Sequence, residues 1–329
     1  MLHNVSKSLA KTLMKMYPNY PREDDLSLWE VFRHTRYTQS PVEEQNRIKQ
    51  QSAQLRYDEE KQICFFVRYF PNISPIEFHN KSILDLGCFT GGRIVYWAEQ
   101  YGFHEARGID INPIFAEAGR LYATSKGVNV TFDTGIAENL PYDSNRFDFV
   151  ASYDVFEHVQ SIEQVMQECL RVLKRGGKLL AVFPQFFHPL EAHLGLATKM
   201  PALQWWFSGK TLTEAYYEIL QDRGKESYWY SRDNPKIAEW ERLPSLNGIT
   251  VAKFRRIVEA NKGWNILYWS RKPILSRGVR ANKAVFRLLR YSLSLPARLP
   301  FLEELFLGRI CCVLEKAGNG NLNQWSSKG

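Results

Sequence analysis

The pattern of apolar and polar positions changes rhythm twice along the chain. Leu2, Val5, Leu9, Leu13 and Met16 recur at helical spacing, with Lys7, Lys11 and Lys15 on the other face. This predicts an amphipathic N-terminal helix: a surface-binding helix, a transit-like segment or an ordinary terminal helix. Residues 21–76 continue in a helical rhythm. Within them Gln51 to Tyr69 sets Leu55, Ile63, Phe66 and Val67 among charges as one buried face, and Pro71 and Pro75 end the pattern. From residue 81 short apolar runs alternate with helical stretches. Ser82–Leu86, Ala106–Asp110, Val128–Phe132, Phe147–Tyr153 and Lys178–Phe183 read as strands. Between them lie three helices. The first covers 91–101. The second is capped by Asn112, has Pro113 as its first residue and runs to Gly127. The third opens with Ser161 and Gln164 as a capping box and runs through Val165, Met166, Cys169 and Val172 to Gly176-Gly177. Strands alternating with helices give an α/β fold, a parallel sheet with helices on both faces. Such sheets bind ligands at the carboxyl ends of their strands, near the switch in strand order. Chemistry is therefore expected just after Leu86, Ile109, Phe132, Ser152 and Phe183.

Beyond Pro184 the alternation stops. Residues 185–262 hold Trp205, Trp206, Trp229, Trp240, Tyr216, Tyr217, Tyr228 and Tyr230, which read equally as a lid or substrate wall and as a helical subdomain with its own core. Asn247 to Ala260 is an expected helix with Val251, Phe254, Ile257 and Val258 inward, and Asn265–Trp269 and Arg309–Leu314 are expected strands. The organisation that follows is an N-terminal helical segment (1–76), a ligand-binding core (77–185), an aromatic-rich insertion (186–262), two last strands with a basic amphipathic insert (263–316) and a tail (317–329).

Composition excludes disorder as the main state, since aromatics alone make up 14% of the residues. No apolar run approaches the ~20 residues of a membrane span. Five scattered cysteines without a C-x-x-C pair argue against a zinc site and a disulfide framework and favour a reducing, cytoplasmic compartment, and with no second ligand evident beside Glu157 no metal site is expected. The net charge of +8 is concentrated: residues 271–310 carry nine basic residues against Glu303 and Glu304. This Arg-rich amphipathic segment reads as a peripheral contact with an anionic membrane surface or anionic ligand, against the plain alternative of a solvated helix face. Nucleic acid is disfavoured, because few aromatics interleave with the charges.

The strongest chemical signal is Ile83-Leu84-Asp85-Leu86-Gly87-Cys88-Phe89-Thr90-Gly91-Gly92, a strand entering a glycine turn that opens a helix. Phe89 stands where a dinucleotide fingerprint has its middle glycine. Asp85, just before the turn, favours a cationic ligand group over a pyrophosphate. Asp110 ends the next strand, where a carboxylate can accept both hydroxyls of a ribose. The pair calls for a nucleoside bearing a positive substituent.

With three further segments, Ala137-Glu138-Asn139-Leu140-Pro141 leading into Arg146 to Val150, Tyr153 to Val159, and Leu170 to Gly177, residues 80–185 resemble the class I S-adenosylmethionine-dependent methyltransferases with a type 11-like core. The resemblance implies a Rossmann-like, seven-stranded, mostly parallel sheet and S-adenosyl-L-methionine as cofactor. It implies that Asp85 and Gly87 hold the methionyl end, that Cys88, Phe89 and Gly91 line the turn, and that Asp110 takes the ribose. Ile111 is then expected to pack on adenine, Ala137 to offer its backbone N–H to the adenine edge, and Tyr153 to lie near the sulfonium. Ile136 stands where the family often has Asp, so the acceptor for the adenine amino group is absent or supplied by Glu138. The segment Phe183 to Pro189 with Ala192-His193-Leu194 is similar to a subgroup that accompanies glycan or cell-surface biosynthesis. Methyl transfer to oxygen usually needs a general base. His193 and His158 are the candidates, with His188 beside them; lid packing and a helix-start role are their plain alternatives. The implied function is methyl transfer to a small-molecule, glycan or lipid-linked acceptor. The rivals are a nucleic-acid methyltransferase, although Ser152-Tyr153-Asp154 lacks the Asn/Asp-Pro-Pro-aromatic motif, and a non-catalytic protein that keeps the fold.

Overall fold

The structure is a computed structural model that describes residues 2–20, 37, 39–189, 191, 194–195, 197–223, 247–270, 272–274, 291–299 and 302–318. His193, the four aromatics at 228–230 and 240, the basic residues between 275 and 290, and the tail from 319 lie outside the described residues. The chain divides into two compact units. One comprises Met1–Thr38, Pro184–Phe254 and Arg271–Ile310, and the other Gln39–Phe183, Arg255–Ser270 and Cys311–Gly329. No helix among the described residues is long and apolar enough to cross a membrane.

In the first unit, α1 (Leu2–Met16) packs against a helix at Gly209–Asp222, burying Ala10 and Met14 beside Leu212, Ala215, Tyr216 and Ile219. The lysines of α1 face the neighbouring helix and pair with acids spaced four residues apart: Lys7 with Glu218 at 2.8 Å, Lys11 with Glu218 and Asp222 at 3.1 Å each, and Lys15 with Asp222 at 3.3 Å. Leu2, Val5, Leu9 and Met16 are left exposed, Leu2 at 88%. Ala10 and Met14, one turn apart, let the lysine side of α1 come close enough to pair.

The second unit is built on α2 (Val42–Ile63), α3 (Phe65–Tyr69), β1 (Ser82–Leu86), α4 (Gly92–Tyr101), β2 (Glu105–Asp110), α5 (Pro113–Lys126), β3 (Thr131–Thr134), β4 (Phe147–Tyr153), α6 (Ile162–Val172) and β5 (Leu173–Phe183). The helix Gly209–Asp222 is α7, Val251–Ala260 is α8, Trp264–Trp269 is β6, Glu303–Phe306 is α9 and Ile310–Lys316 is β7. The seven strands form one sheet in the order β3-β2-β1-β4-β5-β7-β6. β1 pairs in parallel with β2 and β4, β2 with β3, and β4 with β5, whereas β6 and β7 are antiparallel. This is the open, Rossmann-like α/β sheet, and its strand order reverses at β1. All five residues of β1 are buried, as expected of a strand with neighbours on both sides and helices over it. Phe66, Phe78 and Trp97 pack with Ile83, Phe149, Leu180 and Val313 in the core.

Several boundaries differ from the sequence expectation for local physical reasons. Asn112 caps α5 through Ile114 N–H at 3.0 Å. At its far end Gly127 adopts φ +66° and Val128 N–H still bonds the Ala123 carbonyl at 3.1 Å, so Val128 closes the helix and β3 begins only at Thr131. Ser161 caps α6 through Gln164 N–H, but α6 ends at Val172 rather than at the glycine pair. Leu173 already pairs with Phe147 and Lys178 with Phe149, so Gly176-Gly177 forms a bulge inside β5. The single helix expected over 51–69 is broken by Cys64 at φ 51°. Leu55 and Val67 are exposed, and Phe65, Phe66 and Tyr69 carry the burial instead. Helix α8 starts at Val251. Its first N–H groups, Val251 and Ala252, donate to the Glu304 carboxylate at 2.9 and 2.7 Å, a charge suited to a helix N-terminus.

Candidate active site

The carboxyl end of β1 leads into a turn in which every residue has a steric reason. Gly87 has φ +73°, and a Cβ there would lie 2.2 Å from Val155 Cγ2. The N–H groups of Gly87 and Cys88 both donate to the Ile109 carbonyl, at 2.9 and 3.0 Å, which draws the turn onto the end of β2. Phe89 adopts φ 51°, a left-handed conformation that a glycine would take without cost. Its N–H donates to Asp110 Oδ2 at 2.9 Å, and its ring lies 4.3 Å from that of Phe115, with the Arg56 guanidinium 4.9 Å over it. Gly91, at φ +77°, faces the Phe132 ring so closely that a Cβ would be 2.4 Å from it.

Two carboxylates meet at this turn. Asp110 accepts Phe89 N–H on Oδ2 and Asn112 N–H on Oδ1 at 3.0 Å. Ile111 N–H acts on the same carboxyl, which still keeps acceptor capacity for a hydroxyl. Burial raises the Asp110 carboxyl to about 6, against these backbone bonds, which lower it. Asp85 is fully buried, and neither of its oxygens has a hydrogen-bond partner among the described residues. Burial pushes its carboxyl from the 3.8 of a solvated aspartate to about 7; Arg93 opposes the rise, and Glu60 and Asp110 add to it. An orphaned, buried carboxylate beside a second one with spare acceptor capacity fits a nucleoside carrying a positive charge.

The structure thus brings Asp85, Gly87, Cys88, Phe89, Gly91 and Asp110 together. The Cys88 thiol is buried and its pKa is raised by that burial, so the residue offers the turn its backbone rather than a nucleophile. Ile111 and Ala137 are half-buried at the ends of the next loops. Glu138 Oε1 accepts Gln160 and Ser161 N–H at 2.9 and 3.2 Å ahead of α6, which leaves its buried Oε2 as the atom without a hydrogen-bond partner among the described residues. Tyr153 is half-buried at the end of β4. His158, in the turn after β4, is partly exposed and holds Nε2 3.9 Å from Glu157 Oε1. His188 is buried in the other unit, where its carbonyl accepts Gln204 Nε2–H at 2.6 Å. Among the described residues no three His, Cys, Asp or Glu side chains are grouped to hold a metal ion.

Sequence reasoning missed the wall behind Asp85. Arg93, in the first turn of α4, places Nε 3.5 Å from Glu60 Oε2 and its guanidinium 4.5 Å over the Tyr153 ring. Glu60 Oε1 also accepts Phe65 N–H and Trp97 Nε1–H, each at 2.8 Å. The Tyr69 and Tyr153 hydroxyls are 3.2 Å apart. Glu60 is one acid among several in a polar helix, and Tyr69 lies in an aromatic run that reads as core, so spacing alone gave no signal for either.

Residues 84–181 match the family model described as "Methyltransferase domain". Norajmaline N-methyltransferase of Rauvolfia serpentina is 37% identical over 102 residues, covering 30% of this chain and 35% of that protein. The glycine/sarcosine/dimethylglycine N-methyltransferase of Actinopolyspora halophila is 36% identical over 104 residues, 31% of this chain and 18% of the relative. The match thus spans about a third or less of the length of these curated relatives. The solved structure of a geranyl diphosphate methyltransferase covers 78% of this chain and 77% of its own at 13% identity and a TM-score of 0.48. Residues 84–181 therefore belong to the methyltransferase domain family, of the class I kind whose cofactor is S-adenosylmethionine.

Proposed function

We propose that the whole chain is an S-adenosylmethionine-dependent methyltransferase acting on a small-molecule acceptor, with a glycan or lipid-linked compound as the specific class. The observation that carries this is the buried, unpartnered Asp85 carboxylate at the carboxyl end of β1, next to Asp110. When bound, the cofactor supplies an electrophilic methyl group on sulfur. Asp85 receives the methionyl ammonium, Asp110 the ribose hydroxyls, and Gly87 and Gly91 keep the turn low enough for close approach. Ile111, Ala137 and Glu138 Oε2 face the adenine, and Tyr153 the sulfonium. Relatives with norajmaline and glycine in their names support the small-molecule reading. The test is an acceptor screen of cell extracts with isotopically labelled cofactor. Labelled methyl in a small-molecule fraction is the expected result, and label confined to RNA or DNA contradicts it.

Cofactor affinity is expected to depend on pH with a definite sign. Asp85 must be ionised to pair with an ammonium, and in the unliganded protein its carboxyl titrates at about 7. Affinity measured by calorimetry should therefore be near its plateau at pH 8 and fall about tenfold by pH 6. Below that, protonation of Asp110, at about 6, steepens the loss. A flat profile across this window contradicts the assignment.

His193 is the proposed general base if the acceptor atom is oxygen, with His158 as its alternative. His193→Ala should then cut turnover roughly a hundredfold while leaving cofactor affinity unchanged; full turnover removes His193 from the reaction. The basic segment 271–310 is proposed to meet an anionic membrane surface from the cytoplasmic side. The N-terminal lysines do not share that role, because acids of α7 pair with them. Co-sedimentation with vesicles containing phosphatidylserine, weakened by salt, is expected, and equal binding to neutral vesicles contradicts it.

A further inference from the structure

Three buried charged side chains come from the elements around the glycine turn: Glu60 of α2 and Arg93 of α4, which pair at 3.5 Å, and Asp85 of β1, which feels both charges without a hydrogen bond to either. Glu60 is 1% and Arg93 13% exposed at the side chain. Glu60 is committed on both sides, since one oxygen takes Phe65 N–H and Trp97 Nε1–H and the other faces Arg93 Nε. The guanidinium is therefore fixed at one edge. Its plane carbon lies 4.5 Å over the Tyr153 ring, which is also packed edge-on by Phe65 and Tyr69. The charges that act on Asp85 are Arg93, Glu60 and Asp110; those that act on Arg93 are Asp85, Glu60, Tyr153 and Asp154. Arg93 is the single cation in that set. An isolated buried pair of acids would hold a proton at neutral pH rather than stay charged.

We propose that Arg93 is the positioning residue of the cofactor end: clamped by Glu60, it holds the Tyr153 ring in place and supplies the positive charge that opposes protonation of Asp85, which must ionise to receive a cation. The proposal takes the identity of that cation from the functional reading above, but its effect on Asp85 exists in the unliganded protein. A guanidinium suits both duties: it lies over the Tyr153 ring while its edge is held by the Glu60 carboxylate, and its charge acts on Asp85 through space. Arg93 thus links α2 and α3, outside the matched segment 84–181, to the chemistry inside it.

The test titrates the Asp85 carboxyl carbon by NMR in the unliganded full-length protein, with the resonance assigned from its loss in Asp85→Asn. In Arg93→Met the midpoint should move up by about one pH unit or more, and Arg93→Lys should bring it back to within roughly half a unit. Calorimetry with S-adenosylmethionine should show Arg93→Met weakened roughly fivefold or more at pH 7, with the gap closing as pH rises past the new midpoint. An unmoved Asp85 midpoint, or a loss of affinity identical at every pH, overturns the proposal. If Arg93→Met does not fold, the wild-type protein decides: the Arg93 Nε–H resonance should shift with the Asp85 midpoint, and a resonance flat through that range overturns it. If the wild type binds no cofactor while the Asp85 midpoint still follows Arg93, the functional reading falls and this one stands.

Discussion

Asp85→Asn should bind S-adenosylmethionine about a hundredfold more weakly than the parent, and yet be the more stable protein above pH 7. The first effect is the loss of a charge that no other group replaces: Asp110 is already tied to Phe89 and Asn112 N–H and, under the proposed function, serves the ribose. The second follows from linkage. The folded protein holds the Asp85 proton more tightly than the unfolded chain does, about 7 against 3.8. Between those values the native state binds more protons than the unfolded state, so stability falls as pH rises through the window. The ionised carboxylate then costs the fold on the order of 4 kcal/mol at most, which a neutral asparagine of the same shape avoids. Thermal unfolding should give Asp85→Asn the higher Tm at pH 8, with the difference shrinking toward pH 4. A variant less stable at pH 8 would mean that the carboxylate has partners the account omits. Loss of function with gain of stability is the expected signature of a charge kept for binding.

Gly92→Ala should be among the most destabilising single-methyl additions in the chain. Gly92 opens α4 and has ordinary helical geometry, so propensity alone favours alanine by about 1 kcal/mol. Contact decides otherwise. A Cβ would lie 1.9 Å from the Ala53 carbonyl oxygen and 2.6 Å from Tyr57 N, both backbone atoms of α2. Backbone cannot swing aside, so α2 must shift bodily off α4, and with it Glu60 and its hold on Arg93. A loss of about 2–4 kcal/mol follows, or roughly 10 °C in Tm. Because α2 carries the clamp on Arg93, cofactor affinity should fall as well. A Tm equal to the parent's would show that α2 does not approach α4 as closely as described.

These two sites differ in how far the sequence revealed them. The sheet was legible because β1 and β4 are runs with one possible environment: Ser82–Leu86 and Phe147–Tyr153 were bounded correctly to the residue. The turn was legible because glycines and a carboxylate at fixed offsets have few other uses. Where two devices share a residue type, reading failed. Gly176-Gly177 signals a helix stop and a bulge equally, and pairing of Leu173 with Phe147 selects the bulge. In α1 the stripe marks an amphipathic helix without saying which face is buried, and acids more than two hundred residues away in sequence turn the lysines inward. Arg93 and Glu60 were invisible for the same reason: a buried ion pair is specified by the meeting of two helices, which no local pattern records.

Under the proposed function, the turn after β1 holds S-adenosylmethionine through Asp85. Calorimetric titration of the full-length protein with S-adenosylmethionine at pH 8, beside Asp85→Asn, tests it most directly. Saturable binding of one cofactor per chain, lost in the folded variant, is the predicted result; no detectable binding by the wild type, or undiminished binding by Asp85→Asn, would contradict it.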